Sequence, residues 1–273
     1  MVDSTRLHER LQPAQTAGIR FAITGVLAKP IDVLINSAAE KSETPDLLIH
    51  FHGSSFVPVQ AVASLDRPII VAVVNLGNGG SLFDRSFRDP VVFRSVVEAV
   101  RAGSGERVKR PVTFAHRYLS GFSAGYGAIR AILRNDPDAI DGVLLLDGLH
   151  TGYVPEGQPL AAGGKLDEGP MEPFHRYASL AAAGTKRLII THSEIFPGTF
   201  ASTTETTDDL LRELGLKRTS VLRWGPGGMQ QLSEARRGAL LILGFAGNSA
   251  PDHIDHLHGM AAFVPLLWNL PPG

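Results

Sequence analysis

The chain has 273 residues, 44% of them hydrophobic, with 26 basic and 27 acidic residues and a formal net charge of −1. Near-neutral charge with scattered Lys and Arg gives no electrostatic footprint for nucleic acid or an anionic membrane surface, and the absence of cysteine excludes disulfides and thiol chemistry. Length and apolar content suffice for one domain with a full core. Residues 1–12 alternate charged and polar side chains, unlike a signal peptide, and no apolar run reaches the length of a membrane span. A soluble cytoplasmic protein is expected, or a secreted one if a leader has been removed.

Apolar runs alternate with helix-like segments, which predicts an α/β fold with a mainly parallel sheet. Residues 20–24 and 31–36 read as two early strands joined through Lys29-Pro30. Residues 46–51 form a buried strand entered by the turn-like Glu43-Thr44-Pro45, and 68–75 form another. A helix is predicted over 89–102, with Asp89-Pro90 as its cap and first turn. The next strand is kept to 117–120, because His116 and Arg117 do not suit the middle of a buried parallel strand. A helix over 126–133 and a strand over 139–146 follow. Residues 151–184, with a Gly-rich piece at 161–169 and a helix over 171–183, have the size of a small cap. Strands are predicted over 186–191 and 238–245, and between them a helix over 203–214, capped by its Thr-rich start and closed by Gly215. A final helix is predicted over 254–268, bent or broken at Pro265. The apolar stretch 261–270 reads as core-facing. There is no internal repeat.

Between the strand at 117–120 and the helix at 126–133 lies Gly121-Phe122-Ser123-Ala124-Gly125. Gly-x-Ser-x-Gly between a strand and a helix is the form of a nucleophile elbow, in which the glycines leave room for a strained serine turn. Acyl transfer by serine also needs a base, an acid to orient it, and donors for the oxyanion. The upstream strand ends Phe51-His52-Gly53-Ser54, so Gly53 allows close backbone approach, and the N–H groups of Ser54 and Ala124 are the expected oxyanion donors. The base must be a histidine late in the chain. Asp252-His253-Ile254-Asp255-His256-Leu257-His258 offers three, of which His253, at the start of the last helix, is favoured, with His256 as the alternative and His258 last. A His-x-x-His-x-His run can also hold metal, but zinc needs further ligands in fixed geometry and the serine elbow accounts for the cluster, so neither metal nor cofactor is expected. Two carboxylates suit the acid: Asp147, at the tip of the 139–146 strand, and Glu194, at the end of the next one. Asp252 and Asp255 lie too near the histidines along the chain and are expected to cap the helix.

These residues together resemble the α/β-hydrolase superfamily over about residues 20–268. Leu146-Asp147-Gly148-Leu149-His150 and Thr191-His192-Ser193-Glu194-Ile195-Phe196 are similar to the platelet-activating-factor acetylhydrolase type of lipase and esterase. The resemblance implies an α/β-hydrolase fold with helices on both faces of the sheet and no large lid. It implies that Asp147 is the acid and that Glu194 stands outside the triad. Phe56, Tyr126, Leu149, Tyr153 and Phe196 are candidates to line an acyl pocket. The expected function is a serine carboxylesterase for small to medium acyl esters, working through an acyl-enzyme on a small-molecule substrate. The same residues would serve a thioesterase, an amidase or an acyltransferase, and a non-catalytic hydrolase fold used for binding is the reading from another class.

Overall fold

Strands that are apolar on both faces must be covered on both faces, and this requirement organises the molecule. The computed structural model describes residues 7–269. Residues 1–6 and 270–273 lie outside that range, and with them half of the 1–12 segment and the end of the apolar 261–270 stretch.

In chain order the elements are β1 (Ile19–Ile23), β2 (Ile31–Ile35), β3 (Asp46–Phe51), α1 (Phe56–Ala63), β4 (Ile69–Val74), α2 (Gly80–Phe87), α3 (Pro90–Val108), β5 (Arg117–Phe122), α4 (Tyr126–Asn135), β6 (Gly142–Leu146), β7 (Tyr153–Val154), β8 (Lys165–Leu166), α5 (Glu172–Ala182), β9 (Arg187–His192), α6 (Thr203–Glu213), β10 (Thr219–Trp224), β11 (Gln230–Arg237), β12 (Leu240–Phe245), α7 (Ala250–His258) and α8 (Met260–Phe263). One ten-stranded sheet runs β1-β2-β4-β3-β5-β6-β9-β12-β11-β10. Its centre, β4 to β12, is parallel throughout. The β1–β2 hairpin closes one side and β11 and β10 close the other, all antiparallel.

Alternate residues of each central strand feed two cores. Leu47, Ile49, Val143 and Leu145 pack on one face with side chains of α2 to α6. Leu48, Leu144 and Leu146 pack on the other with those of α1, α7 and α8. Each fully buried aliphatic side chain contributes about 2 kcal/mol of transfer free energy, which makes the sheet a stiff platform for whatever its loops carry.

Several elements differ from expectation. β5 runs on to Phe122, so the elbow is the strand's own end, and its basic start, Arg117, sits at the margin. α3 continues past 102 to Val108 and ends on left-handed Lys109. The last helix is not continuous. α7 starts at Ala250 because Ser249 and Asp252 form a capping box, Gly259 separates α7 from α8, and Pro265 lies in a 3-10 turn over Val264–Leu267. α1, α2, β10 and β11 were not foreseen. The helix of the 151–184 region, α5, packs on α4 and β9, and the rest of that region carries the two-stranded β7–β8 pair and a 3-10 turn over Leu160–Ala162. Among the described residues there is therefore no large lid, and no helix long and apolar enough to cross a membrane.

Candidate active site

Four non-glycine residues among those described have left-handed backbone, and three follow the C-terminal ends of the adjacent strands β3, β5 and β6: His52 (φ 72), Ser123 (φ 48) and Asp147 (φ 42). Each such conformation costs on the order of 1 kcal/mol or more. Clustered strain at the carboxyl edge of a parallel sheet marks a functional crevice. The fourth residue, Lys109, only ends α3.

The glycines around Ser123 are required by contact. A Cβ on Gly121 would lie 3.0 Å from the Gly125 carbonyl carbon, and one on Gly125 would lie 2.1 Å from the Phe51 oxygen at the end of β3. A Cβ on Gly148, just after Asp147, would lie 2.7 Å from the Ser123 nitrogen. The elbow is thus wedged between the ends of β3 and β6. Gly125→Ala should cost about 2 kcal/mol or more, because the rigid backbone of β3 must shift; urea denaturation measures it, and a loss under about 0.5 kcal/mol would refute this packing account.

Asp147 and His253 meet directly. His253 Nδ1 donates to Asp147 Oδ2 at 2.7 Å. A carboxylate only accepts, so this bond puts the proton on Nδ1 and leaves Nε2 as an acceptor. The Asp147 carboxylate also accepts from Ser193 N–H at 2.9 Å, the Ser193 hydroxyl at 2.7 Å and the Thr203 hydroxyl at 2.7 Å. Burial alone would raise its pKa, but the nearby His256, the His253 bond and the Ser193 amide outweigh burial and hold the carboxyl far below the usual range. Glu194, the alternative acid, is exposed; its neighbour Ser193 makes the contact instead.

The three late histidines diverge. His253 lies in the first turn of α7 rather than in the loop before it. His256 is buried, its Nδ1 2.7 Å from the Thr191 hydroxyl, and burial lowers its pKa against the opposing pull of Asp147. His258 Nδ1 accepts from Leu11 N–H. Asp252 is part of the cap, but Asp255 is not. It pairs with His8 and Arg10, which ties the N-terminal segment to α7.

Ser123 lines two cavities. The smaller, about 320 Å³, also includes Asp147, His253, Ile195, Pro197 and Phe200 in its wall. The larger, about 610 Å³, includes His52, Ala124, Tyr126, Arg130 and His150. Of the candidate pocket residues, Tyr126 alone reaches either one. Phe56 packs edge-on against His258, Leu149 is fully buried in the core, Tyr153 donates to Glu205, and Phe196 is exposed. Gly53 and Ser54 line neither cavity. Gly53 has φ 106, a backbone conformation that L side chains rarely adopt, so the turn itself calls for a glycine there; the nearest atom to an added Cβ, Leu257 Cδ2 at 2.7 Å, ends a side chain that could move.

Support for the loop after β3 comes from His50. Its Nδ1 meets the Ser120 hydroxyl at 2.8 Å, and its Nε2 meets the His52 carbonyl at 2.8 Å, across the turn where His52 is left-handed. Burial lowers the His50 pKa to about 4, so the ring is neutral at physiological pH and acts as a strut. His150 and Phe200 were also missed. They line both cavities, and the His150 pKa is lowered, chiefly by burial, with Nδ1 donating to the Ala201 carbonyl.

A mostly parallel sheet with a strained serine at the end of its central strand defines the class: the chain has the α/β-hydrolase fold. Solved structures of serine hydrolases superpose on it. Siderophore hydrolase EstA from Aspergillus nidulans does so with a TM-score of 0.55 and 14% identity, over 96% of this chain and 100% of that one. FphF, a fluorophosphonate-binding serine hydrolase of Staphylococcus aureus, gives a TM-score of 0.50 and 12% identity over 93% and 100%. Pyrococcus horikoshii acylaminoacyl peptidase gives 0.50 and 13%, over 95% of this chain and 43% of that longer one. No family model matches the chain, and no curated protein matches its sequence. At such identities the likeness establishes the fold alone.

Proposed function

We propose that the protein is a serine hydrolase, most simply a carboxylesterase for small to medium acyl esters, with Ser123, His253 and Asp147 as its triad within a single domain. The observation that carries this reading is the 2.7 Å bond from His253 to a buried, ionised Asp147, beside a cavity that a left-handed serine also lines. Ser123 Oγ attacks the ester carbonyl as His253 Nε2 takes its proton. The proton passes to the departing alkoxide, the ester C–O bond breaks, and an acyl-serine remains. Water, activated by the same nitrogen, then releases the acid and restores Ser123. Asp147 keeps the imidazole in the working tautomer and stabilises the imidazolium. The N–H of Ala124, which lines the larger cavity beside Ser123, is the proposed donor to the oxyanion; Ser54, outside both cavities, would have to turn toward the substrate to add a second. This chemistry requires neither metal nor cofactor.

A fluorophosphonate probe tests the reading, since it reacts with activated serines. The expected result is stoichiometric label on Ser123, located by mass spectrometry of the modified peptide. Folded protein that takes no label, or takes it at another serine, would overturn the assignment.

A further inference from the structure

The larger cavity has one permanently charged side chain in its wall, Arg130; the other polar groups there, such as Asn78, Ser81 and Thr151, are neutral. Arg130 stands on α4, the helix that begins beside the elbow. Its Nε donates to Asp84 at 2.8 Å, and its Cζ lies 5.3 Å from the centre of the Tyr126 ring, one turn back. The side chain therefore folds toward the Ser123 end of the helix.

Asp84 does not neutralise this charge alone. Arg88 and Arg134 approach the same carboxylate at 3.2 and 3.7 Å, so one negative charge faces three guanidiniums. Of the three, Arg130 is the most buried, at 13% side-chain exposure against 68% and 40%, and its field is the least screened. The smaller cavity differs. Ile195, Pro197, Phe200 and Ala250 make it largely apolar, and its one carboxylate, Asp147, is fully engaged.

The proposed triad orients a substrate between the two. The leaving oxygen must take its proton from His253, so the alcohol lies on the His253 side, in the smaller cavity. The acyl chain, on the other bond of the same carbonyl carbon, then enters the larger one. We propose that Arg130 determines specificity by binding a carboxylate at the far end of the acyl chain, which makes the substrates half-esters of dicarboxylic acids with small apolar alcohols. This rests on the triad reading above. Ser123 and Arg130 are seven residues apart in sequence, about 10 Å along a helix, and the folded-back guanidinium shortens that span to an acyl chain of about four to six carbons. Hydrolysis proceeds as already written, with water as the only co-reactant, and releases the free dicarboxylate.

The test compares phenyl half-esters of succinic, glutaric and adipic acid with phenyl pentanoate. Wild-type enzyme should favour its best half-ester in kcat/KM by about tenfold or more, the worth of one charge-assisted contact. The preference should reside in KM and shrink as salt is raised. Arg130→Gln should bring the ratio to one or below, and Arg130→Lys should retain part of it. If Arg130→Gln fails to fold for want of a partner to Asp84, the wild-type ratio, its salt dependence and Arg130→Lys still decide. An enzyme that labels at Ser123 and cleaves phenyl pentanoate at least as well as every half-ester overturns this inference alone. No cleavage of any ester, with no label, overturns the triad reading beneath it.

Discussion

Ser123→Ala should lower kcat by about 10⁴- to 10⁶-fold and leave the fold intact, since the substitution removes only the attacking oxygen. The side chain is half-buried at the junction of two cavities and is not part of either core, so its loss opens no void. The strain at φ 48 belongs to the backbone. It is set by Gly121, Gly125 and Gly148, and alanine meets it on the same terms as serine. What remains is the residual acceleration from oriented binding and the backbone donors. The measurement is kcat on phenyl pentanoate, with the melting temperature read in parallel. A folded variant within tenfold of wild type would mean that Ser123 is not the nucleophile, whatever the elbow looks like.

The central strands were readable because burial on both faces demands apolar runs, which β4, β6 and β12 have throughout and which β3 and β9 have up to His50 and Thr191. What escaped reading was stabilised by something other than pattern. β10 is exposed along almost its whole length, and β11 buries only Gln231 and Ala235, so neither writes an alternation. They exist because β12 has an edge to cover. α1 contains Pro58 and three valines and has Gln60 as its one polar side chain, so it writes no amphipathic helical pattern; it forms because it sits between β4 and α8. α3 runs through Gly103, where a Cβ would lie 2.9 Å from the Phe21 ring, so a residue that reads as a helix stop is a close contact with β1 instead.

The candidate site divides in the same way. Ser123, Asp147 and His253 were legible because each sits where a strand or helix ends, and such ends follow from local pattern. The residues that hold them were not. Ser193 and Thr203 reach Asp147 across 46 and 56 residues of sequence, and only the parallel register of β6 with β9 brings them together. Ser193 stands beside Glu194, and of the two only the carboxylate has the chemistry of a triad acid, so nothing local marks the serine as the residue that reaches Asp147. The pocket candidates are large, mainly apolar side chains near the motifs. Such residues are mostly core, as Leu149 proved to be. The cavities are lined instead by loop residues such as Phe200 and His150, whose place depends on how β6 and β9 are spaced.

Asp147→Asn should cost about 10⁴-fold in kcat, and the four bonds to the carboxylate say why. An asparagine must put its NH₂ at one of the two oxygen positions. At Oδ1 it would confront the Ser193 N–H and the Thr203 hydroxyl, and a backbone donor cannot turn away. At Oδ2 it meets the Ser193 hydroxyl, which rotates, and His253 Nδ1, which can change tautomer. The second arrangement wins, the His253 proton moves to Nε2, and that nitrogen can no longer accept from Ser123. The same substitution has a pH signature. The folded Asp147 carboxyl is held far below its unfolded value, so folding favours the ionised form. That stabilisation is fully present above the unfolded pKa of about 4, and it is lost as pH falls below that, because the unfolded chain then binds the proton first. Asparagine has no such term. The stability advantage of wild type over Asp147→Asn, measured by urea denaturation, should therefore be largest near neutrality and shrink as pH falls below 4. An advantage that does not change with pH would mean that the Asp147 carboxyl is not held low in the folded protein, and a kcat loss under tenfold would mean that it does not fix the His253 tautomer.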